Sequence, residues 1–156
     1  MTFRHQIIPA VYLVLMEGKR LLMLRRAGTG YMDGYYSLVA GHLDGGEPLS
    51  RAIAREAEEE IGIFIAQEAL QLIHVVHTPP EPGDAPGQER IDFYFKASIF
   101  SGEISNCELH KCDDIRWFDI DQLPKNMVPR VAVALDGIFA GTILSEPHWV
   151  ELARST

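Results

Sequence analysis

Apolar residues dominate two early runs, Ile7 to Met16 and Leu21 to Leu24, with the polar turn Glu17-Gly18-Lys19 between them. Two β-rich runs across a short glycine turn predict a hairpin, Gln6 to Met16 with Arg20 to Arg25. Ala27 to Gly34 holds three glycines and an aspartate and predicts a loop. Tyr35 to Ala40 predicts a short strand. From Leu49 the period changes. Leu49, Ala52, Ile53, Ala57 and Ile61 recur at helical spacing, with Arg51, Arg55 and the glutamates off that stripe. Pro48 suits the first helical position, and Gly62 suits a left-handed cap.

A strand is predicted again over Leu70 to His77. Thr78 to Gln88 contains four prolines and two glycines, which predicts a long surface loop. In Arg90 to Phe100 the period is two: Ile91, Phe93 and Phe95 alternate with Asp92, Tyr94 and Lys96, as in a half-buried strand. Glu108 to Asp114 reads as polar loop, Ile115 to Phe118 as a short strand, and Asp121 to Pro124 as a capped helical turn. Val131, Leu135, Ile138 and Phe139 predict a last helix over Val131 to Ile143. Strands dominate, with one helix in the first half and one near the end. That pattern predicts an α/β fold, an α/β/α sandwich on a mixed β-sheet. At 156 residues with no linker, a single domain over 1–156 is expected.

Charge narrows the partners. The net charge is −8, which argues against a nucleic acid polymer or an anionic membrane as main partner, because both need a basic surface. A small phosphorylated ligand stays compatible, since local arginines and a cation can hold it. No apolar run is long enough to span a bilayer, and the N-terminus lacks a secretory pattern. Cys107 and Cys112 do not make a disulfide framework, and with His110 they make a poor zinc set. The expected localisation is cytoplasmic.

The candidate chemistry sits on the first helix and the loop before it. Glu56, Glu59 and Glu60 stand at i, i+3 and i+4, on one helical face. Carboxylates crowded in this way repel by about a few tenths of a kcal/mol per pair. A cation among them reverses the sign, and Mg²⁺ is a hard ion that takes carboxylate oxygens. The glycine loop Gly41 to Gly46 runs in front of them.

Gly41, Glu47, Arg55-Glu56, Glu59-Glu60 and Gly62, with Ile63 as the closing apolar residue, match the pattern G-x5-E-x7-R-E-U-x-E-E-x-G-U, where U is bulky and apolar. Ala57 is small for the first U. The chain therefore resembles the Nudix hydrolase family, MutT-like members included. The resemblance implies a Nudix-type α/β/α sandwich and pyrophosphohydrolysis of a nucleoside diphosphate linked to another moiety, with Mg²⁺ as cofactor and Mn²⁺ as the alternative. It implies Glu59 and Glu60 as main metal ligands with the Gly41 carbonyl beside them. Glu56 is implied as ligand or general base. Arg55 would orient the glutamates through Glu59 or Glu47, and Glu108 would be a later acidic ligand. Arg25 and Arg26 would meet substrate, with Glu47 grouped beside them. Dimers are common in the family, so a homodimer is an open expectation.

The substrate is less legible. A SQPWPxPxS array, as in members acting on NADH-type substrates, is absent. Met127-Val128-Pro129-Arg130-Val131 lacks the acids or asparagine of known oxidised-purine readers. The short chain looks most like triphosphate-directed members. The expectation is a (deoxy)nucleoside triphosphate giving monophosphate and pyrophosphate. The alternatives are another nucleotide derivative (nucleotide sugar or dinucleotide) or a non-catalytic nucleotide-binding regulator.

Overall fold

The computed structural model of the chain describes residues 2–80 and 88–149. Residues 81–87 of the proline-rich stretch, predicted as surface loop, lie outside the described residues. The first hairpin is β1 (Ile8–Glu17) with β2 (Arg20–Arg26). Their pairing is confined to the turn end, Met16 with Leu21 and Glu17 with Arg20. Beyond it β1 leaves β2 and becomes the middle of a sheet. It lies between β4 (Val39–His42), antiparallel, and β6 (Arg90–Ala97), parallel. β6 pairs antiparallel with β5 (Gln71–Thr78), which carries the short parallel β8 (Leu144–Ser145). β2 in turn pairs with β3 (Tyr36–Ser37) and β7 (Cys112–Asp119). The result is an eight-stranded mixed sheet.

Helix α1 (Leu49–Ile61) covers one face and α2 (Pro129–Phe139) the other. The two-residue period of β1 divides the core between them. Val11, Leu13 and Leu15 pack with Ala52, Ile53, Ala57 and Ile61 of α1, while Ala10, Tyr12 and Val14 pack with Val131, Ala134 and Leu135 of α2. A strand covered on both faces is apolar throughout, which is why its sequence is a run rather than an alternation. The α/β/α sandwich expected from the sequence is present. Among the described residues no helix is long and apolar enough to cross a membrane.

Several local expectations change. Tyr35 to Ala40 is two strands, β3 and β4, because they bond to different neighbours, β2 and β1. β7 begins at Cys112, so Asp113 and Asp114 belong to a strand. They read as loop because their acids meet Arg25, Tyr36 and Arg116 in place of apolar neighbours. On β6 the alternation misleads: Asp92 and Tyr94 are fully buried, while Ile91 and Phe93 are only partly covered. The strand is central, and Tyr94 faces the α2 layer. Residues 121–124 contain no helical turn; the chain turns at 120–121, where the Asp121 N–H donates to Asp119 Oδ1 and the Gln122 N–H to the Asp119 carbonyl, both at 2.9 Å. α2 starts two residues before the predicted Val131 and stops at Phe139, because Gly141 takes φ +77° and Leu144–Ser145 join β5. Pro48 is extended (φ −70°, ψ 157°) and stands just before the helix.

Gly62 ends α1 at φ 74°, and its N–H donates to the Glu58 carbonyl. A Cβ there would stand 3.3 Å from Cys107 Sγ. Gly62→Ala therefore combines left-handed strain with a tight contact. It is expected to lower unfolding free energy by about 1–2 kcal/mol in denaturant titration, with the m-value unchanged.

Candidate active site

The glycine loop and α1 bring the box residues together through one close approach. Gly41 pairs with Val11 on β1 and so points to the α1 face. An added Cβ would lie 2.0 Å from Glu56 Oε1 and 2.2 Å from Glu56 Cδ. Only a glycine lets the Glu56 carboxylate lie against the strand. The apolar stripe of α1 holds Ala52, Ile53, Ala57 and Ile61 in the core, and this turns Glu56, Glu59 and Glu60 outward beside β4.

Arg55 gathers the acids. Its Nη2 donates to Glu47 Oε1 at 2.7 Å and its Nε to the same atom at 3.1 Å. Nη1 donates to Glu56 Oε1 at 3.0 Å and to both oxygens of Glu59 at 3.3 Å. Glu47 carries the shortest of these bonds. It keeps the Glu47 carboxyl below its ordinary range and is the first cause of the raised Arg55 pKa. Glu47 thus points at Arg55, and it does not line the cleft that holds the other acids.

Glu56 and Glu60 are electrostatically uncomfortable. Burial pushes the Glu56 carboxyl up, against the pull of Arg55, with Glu59 and Glu108 adding repulsion. Burial pushes Glu60 well above the usual carboxylate range, and Glu56 and Glu108 push it further. The Ala40 N–H donates to Glu60 Oε2 at 3.3 Å. Glu59 is more exposed. Glu108 reaches the cluster because its loop docks on the end of α1. The Ser105 N–H donates to the Ile61 carbonyl and the Cys107 N–H to the Glu60 carbonyl, both at 3.0 Å. Asn106 Oδ1 accepts from the Glu108 N–H at 3.1 Å, and Lys111 Nζ stands 3.8 Å from Glu108 Oε1.

These acids open on a cleft of about 760 Å³, lined also by Arg25, Arg26 and Lys111. Arg25 Nε donates to Asp113 Oδ1 at 2.7 Å, and its guanidinium lies 5.8 Å from the Tyr36 ring. Arg26 donates to the Tyr31 carbonyl at 2.8 Å and to Thr29 Oγ1 at 3.0 Å, and it packs 5.4 Å from the Tyr31 ring. Both cations are thus anchored at the rim by neutral or acidic neighbours.

The fit to a cation follows from the donor set. Glu56, Glu59, Glu60, Glu108 and the Gly41 backbone offer oxygen only, the preference of a hard divalent ion. The repulsion on Glu60 is what such an ion relieves. Among the described residues, no three His, Cys, Asp or Glu side chains already close into a cage, and Arg55 engages Glu56 and Glu59 in part.

Arg130 carried no sequence signal as a site residue, and Arg90 carried only its place at the start of the aromatic strand. Arg130 opens α2, and Arg90 opens β6 beside buried Asp92. The Arg-Ile-Asp order of residues 90–92 places two polar side chains on the same strand face, which is the one available clue. His42 also lines the cleft; burial lowers its pKa, and the Arg90 charge lowers it further. His74, by contrast, is buried and bonded to the Thr142 carbonyl at 2.9 Å and Ser145 Oγ at 2.8 Å, away from the cleft.

A family model described as NUDIX domain matches residues 6–136. The chain is 30% identical over 118 residues to a protein named NAD-capped RNA hydrolase NudC from Stutzerimonas stutzeri, covering 74% of this chain and 38% of that protein. A NudC from Pseudomonas aeruginosa is 29% identical, with 74% and 37% covered. The chain therefore spans less than two fifths of the length of these two relatives. Among solved structures, a MutT NUDIX hydrolase from Burkholderia pseudomallei superposes with a TM-score of 0.75 at 27% identity, covering 84% of this chain and 97% of that one. A NUDIX hydrolase from Nitrosomonas europaea shares the fold, with a TM-score of 0.71 at 20% identity over 96% of this chain and 100% of the other.

Proposed function

Since the chain belongs to the NUDIX domain family of hydrolases, we propose that it is a divalent-metal-dependent pyrophosphohydrolase of a nucleoside diphosphate linked to another moiety, with a (deoxy)nucleoside triphosphate as substrate. Water and the triphosphate would give a monophosphate and pyrophosphate. The observation that carries this reading is the arginine-gathered carboxylate set against Gly41, facing a cleft rimmed by Arg25, Arg26 and Lys111. A cleft acidic on one wall and basic at the rim suits a polyphosphate with its counter-ions.

Family members generally use a divalent metal, and here Glu56, Glu59, Glu60, Glu108 and the Gly41 carbonyl would hold it. When bound, such an ion offsets phosphate charge and lowers the pKa of a water. The remaining work falls to side chains of the chain. Arg55 fixes the rotamers of Glu56 and Glu59, and Glu47 fixes Arg55 in turn. In this reading Glu47 is a positioning residue without substrate contact. Glu56 or Glu108, each with a carboxylate near the cluster, would accept the water's proton. Arg25 and Arg26 would meet the outer phosphates, where their planar forks suit phosphate oxygens. Ion-paired Arg25 must share its donors with Asp113 to do so.

A second reading draws on the NudC relatives, whose name refers to NAD-capped RNA. It makes the substrate a dinucleotide or a capped RNA end. The net charge of −8 favours a small ligand over an RNA chain. The test is product analysis with Mg²⁺ and with Mn²⁺ across (deoxy)nucleoside triphosphates, NADH, nucleotide sugars and NAD-capped RNA. The expected result is monophosphate and pyrophosphate from a triphosphate at kcat/KM of about 10⁴ M⁻¹s⁻¹ or above. Turnover of NADH or capped RNA with triphosphates inert would transfer the assignment to the second reading.

A further inference from the structure

Glu108 joins the carboxylate cluster from a loop, so helix spacing does not aim it. The loop is tied down at both ends. At its start the Ser105 and Cys107 N–H groups donate to the Ile61 and Glu60 carbonyls, both at 3.0 Å. At its end the Lys111 carbonyl accepts from the Ala27 N–H at 2.9 Å, next to Arg26. Gly28 packs so closely on this end that a Cβ there would stand 2.7 Å from the His110 carbonyl oxygen. Between the anchors the chain makes one tight turn. The Lys111 and Cys112 N–H groups both donate to the Glu108 carbonyl, at 2.8 Å and 3.0 Å.

A single side chain spans that turn. Asn106 Oδ1 accepts from the Glu108 N–H at 3.1 Å, and Asn106 Nδ2 donates to the Cys112 carbonyl at 2.7 Å. The amide thus spends its acceptor on the residue that carries the acid and its donor on buried Cys112, the first residue of β7. Asparagine holds both groups on one short stem, which suits it to local bonds of this kind. The Glu108 backbone is then fixed at its N–H and at its carbonyl, and the direction of its Cα–Cβ bond is fixed with them. Lys111 steadies the side chain only loosely, with Nζ 3.8 Å from Glu108 Oε1 and both groups partly exposed.

The clasp bears on the whole cluster. Glu56, Glu59 and Glu60 are placed by α1, whereas Glu108 is placed by the turn from Asn106 to Cys112. The Glu108 charge reaches the others, since it adds to the upward push on Glu56 and Glu60. A ligand group on an untied loop would have to lose its freedom on binding, and affinity falls accordingly.

We propose that Asn106 is a positioning residue, whose two-sided clasp holds the Glu108 carboxylate in the cluster and so sets the affinity of the cluster for a divalent ion. The inference rests on Glu108 being a ligand, as proposed above, but it requires no turnover.

The test is Mn²⁺ binding to the full chain without substrate, followed by electron paramagnetic resonance in a double-mutant cycle. Glu108→Gln and Asn106→Ala are each expected to raise the Kd of the tightest Mn²⁺ by about five- to tenfold. The double variant should stay within about twofold of Glu108→Gln, because the clasp has no charge left to aim. A merely structural role would instead add its own loss. Asn106→Ser keeps an acceptor for the Glu108 N–H without the bond to Cys112, and it guards against a failure of the alanine variant to fold. It should raise Kd by about two- to threefold. Parental Kd in both Asn106 variants, or additive weakening in the double variant, would overturn the proposal and leave Glu108 a ligand. Parental Kd in Glu108→Gln would overturn the ligand role and the proposal together. Coupled weakening in a chain that hydrolyses no nucleotide would overturn the hydrolytic reading and leave this one standing.

Discussion

Glu60→Gln is expected to lower kcat by about 10²–10⁴-fold and, in the same protein, to raise the stability of the metal-free chain at neutral pH. The two effects share one cause. Burial holds the Glu60 carboxyl well above its ordinary value of 4.5, with Glu56 and Glu108 adding repulsion. A carboxyl whose folded pKa exceeds its unfolded one binds its proton more tightly when folded. The metal-free parent is therefore penalised as pH rises from about 4.5 through the folded pKa, and the penalty persists above it. Glutamine removes the charge and keeps an oxygen for the Ala40 N–H. Melting curves in chelator from pH 4 to 8 should show the parent losing ground to the variant as pH rises. Added Mg²⁺ should raise the parent's Tm and move the variant's much less, because a ligand charge is gone. Parallel melting of the two proteins across that range would remove the electrostatic argument, whatever the activity does.

Gly41→Ala is expected to separate activity from stability in the opposite sense. The added methyl would meet Glu56 Oε1 at 2.0 Å, Cδ at 2.2 Å and Cγ at 2.8 Å. All three atoms belong to one flexible side chain that lines the open cleft, so Glu56 can swing away without moving the core. The fold should lose about 1 kcal/mol or less. The carboxylate, however, would leave the position that Arg55 Nη1 holds at 3.0 Å. Misplacing a reacting group by about an ångström costs on the order of 10²-fold in rate. Activity should fall by about that factor with the urea midpoint nearly unchanged. A variant that unfolds early, or one that retains parental kcat, would show that the close approach does not set the Glu56 position.

Both predictions rest on residues already conspicuous in the chain, and the reason is periodicity. An α-helix translates spacing into a face without outside help, so Glu56, Glu59 and Glu60 can be read as neighbours from their numbers alone. The helix end at Gly62 is legible for a similar reason, since a left-handed cap needs glycine locally. Strands are less transparent. On β6, Ile91, Phe93 and Phe95 predicted one buried face, yet Asp92 and Tyr94 are the fully buried residues. A strand covered by helices on both faces has no solvent side for the alternation to report. The acids of β7 were read as loop because their partners, Arg25 and Tyr36, come from distant parts of the chain.

The sequence by itself determined the α/β class, the box from Gly41 to Ile63, and the oxygen-rich chemistry of its helix, because those depend on contacts a few residues apart. Only the tertiary structure decided where Glu108 stands, since its loop docks on the carbonyls at the end of α1. It also decided that Glu47 holds Arg55 in place, and that Asp92 joins Arg90 to Arg130 across 38 and 40 residues of chain. Such pairs form where sheet register and helix packing bring remote side chains to one place. Burial then sets their energetics, and neither quantity is written in the local spacing of residues.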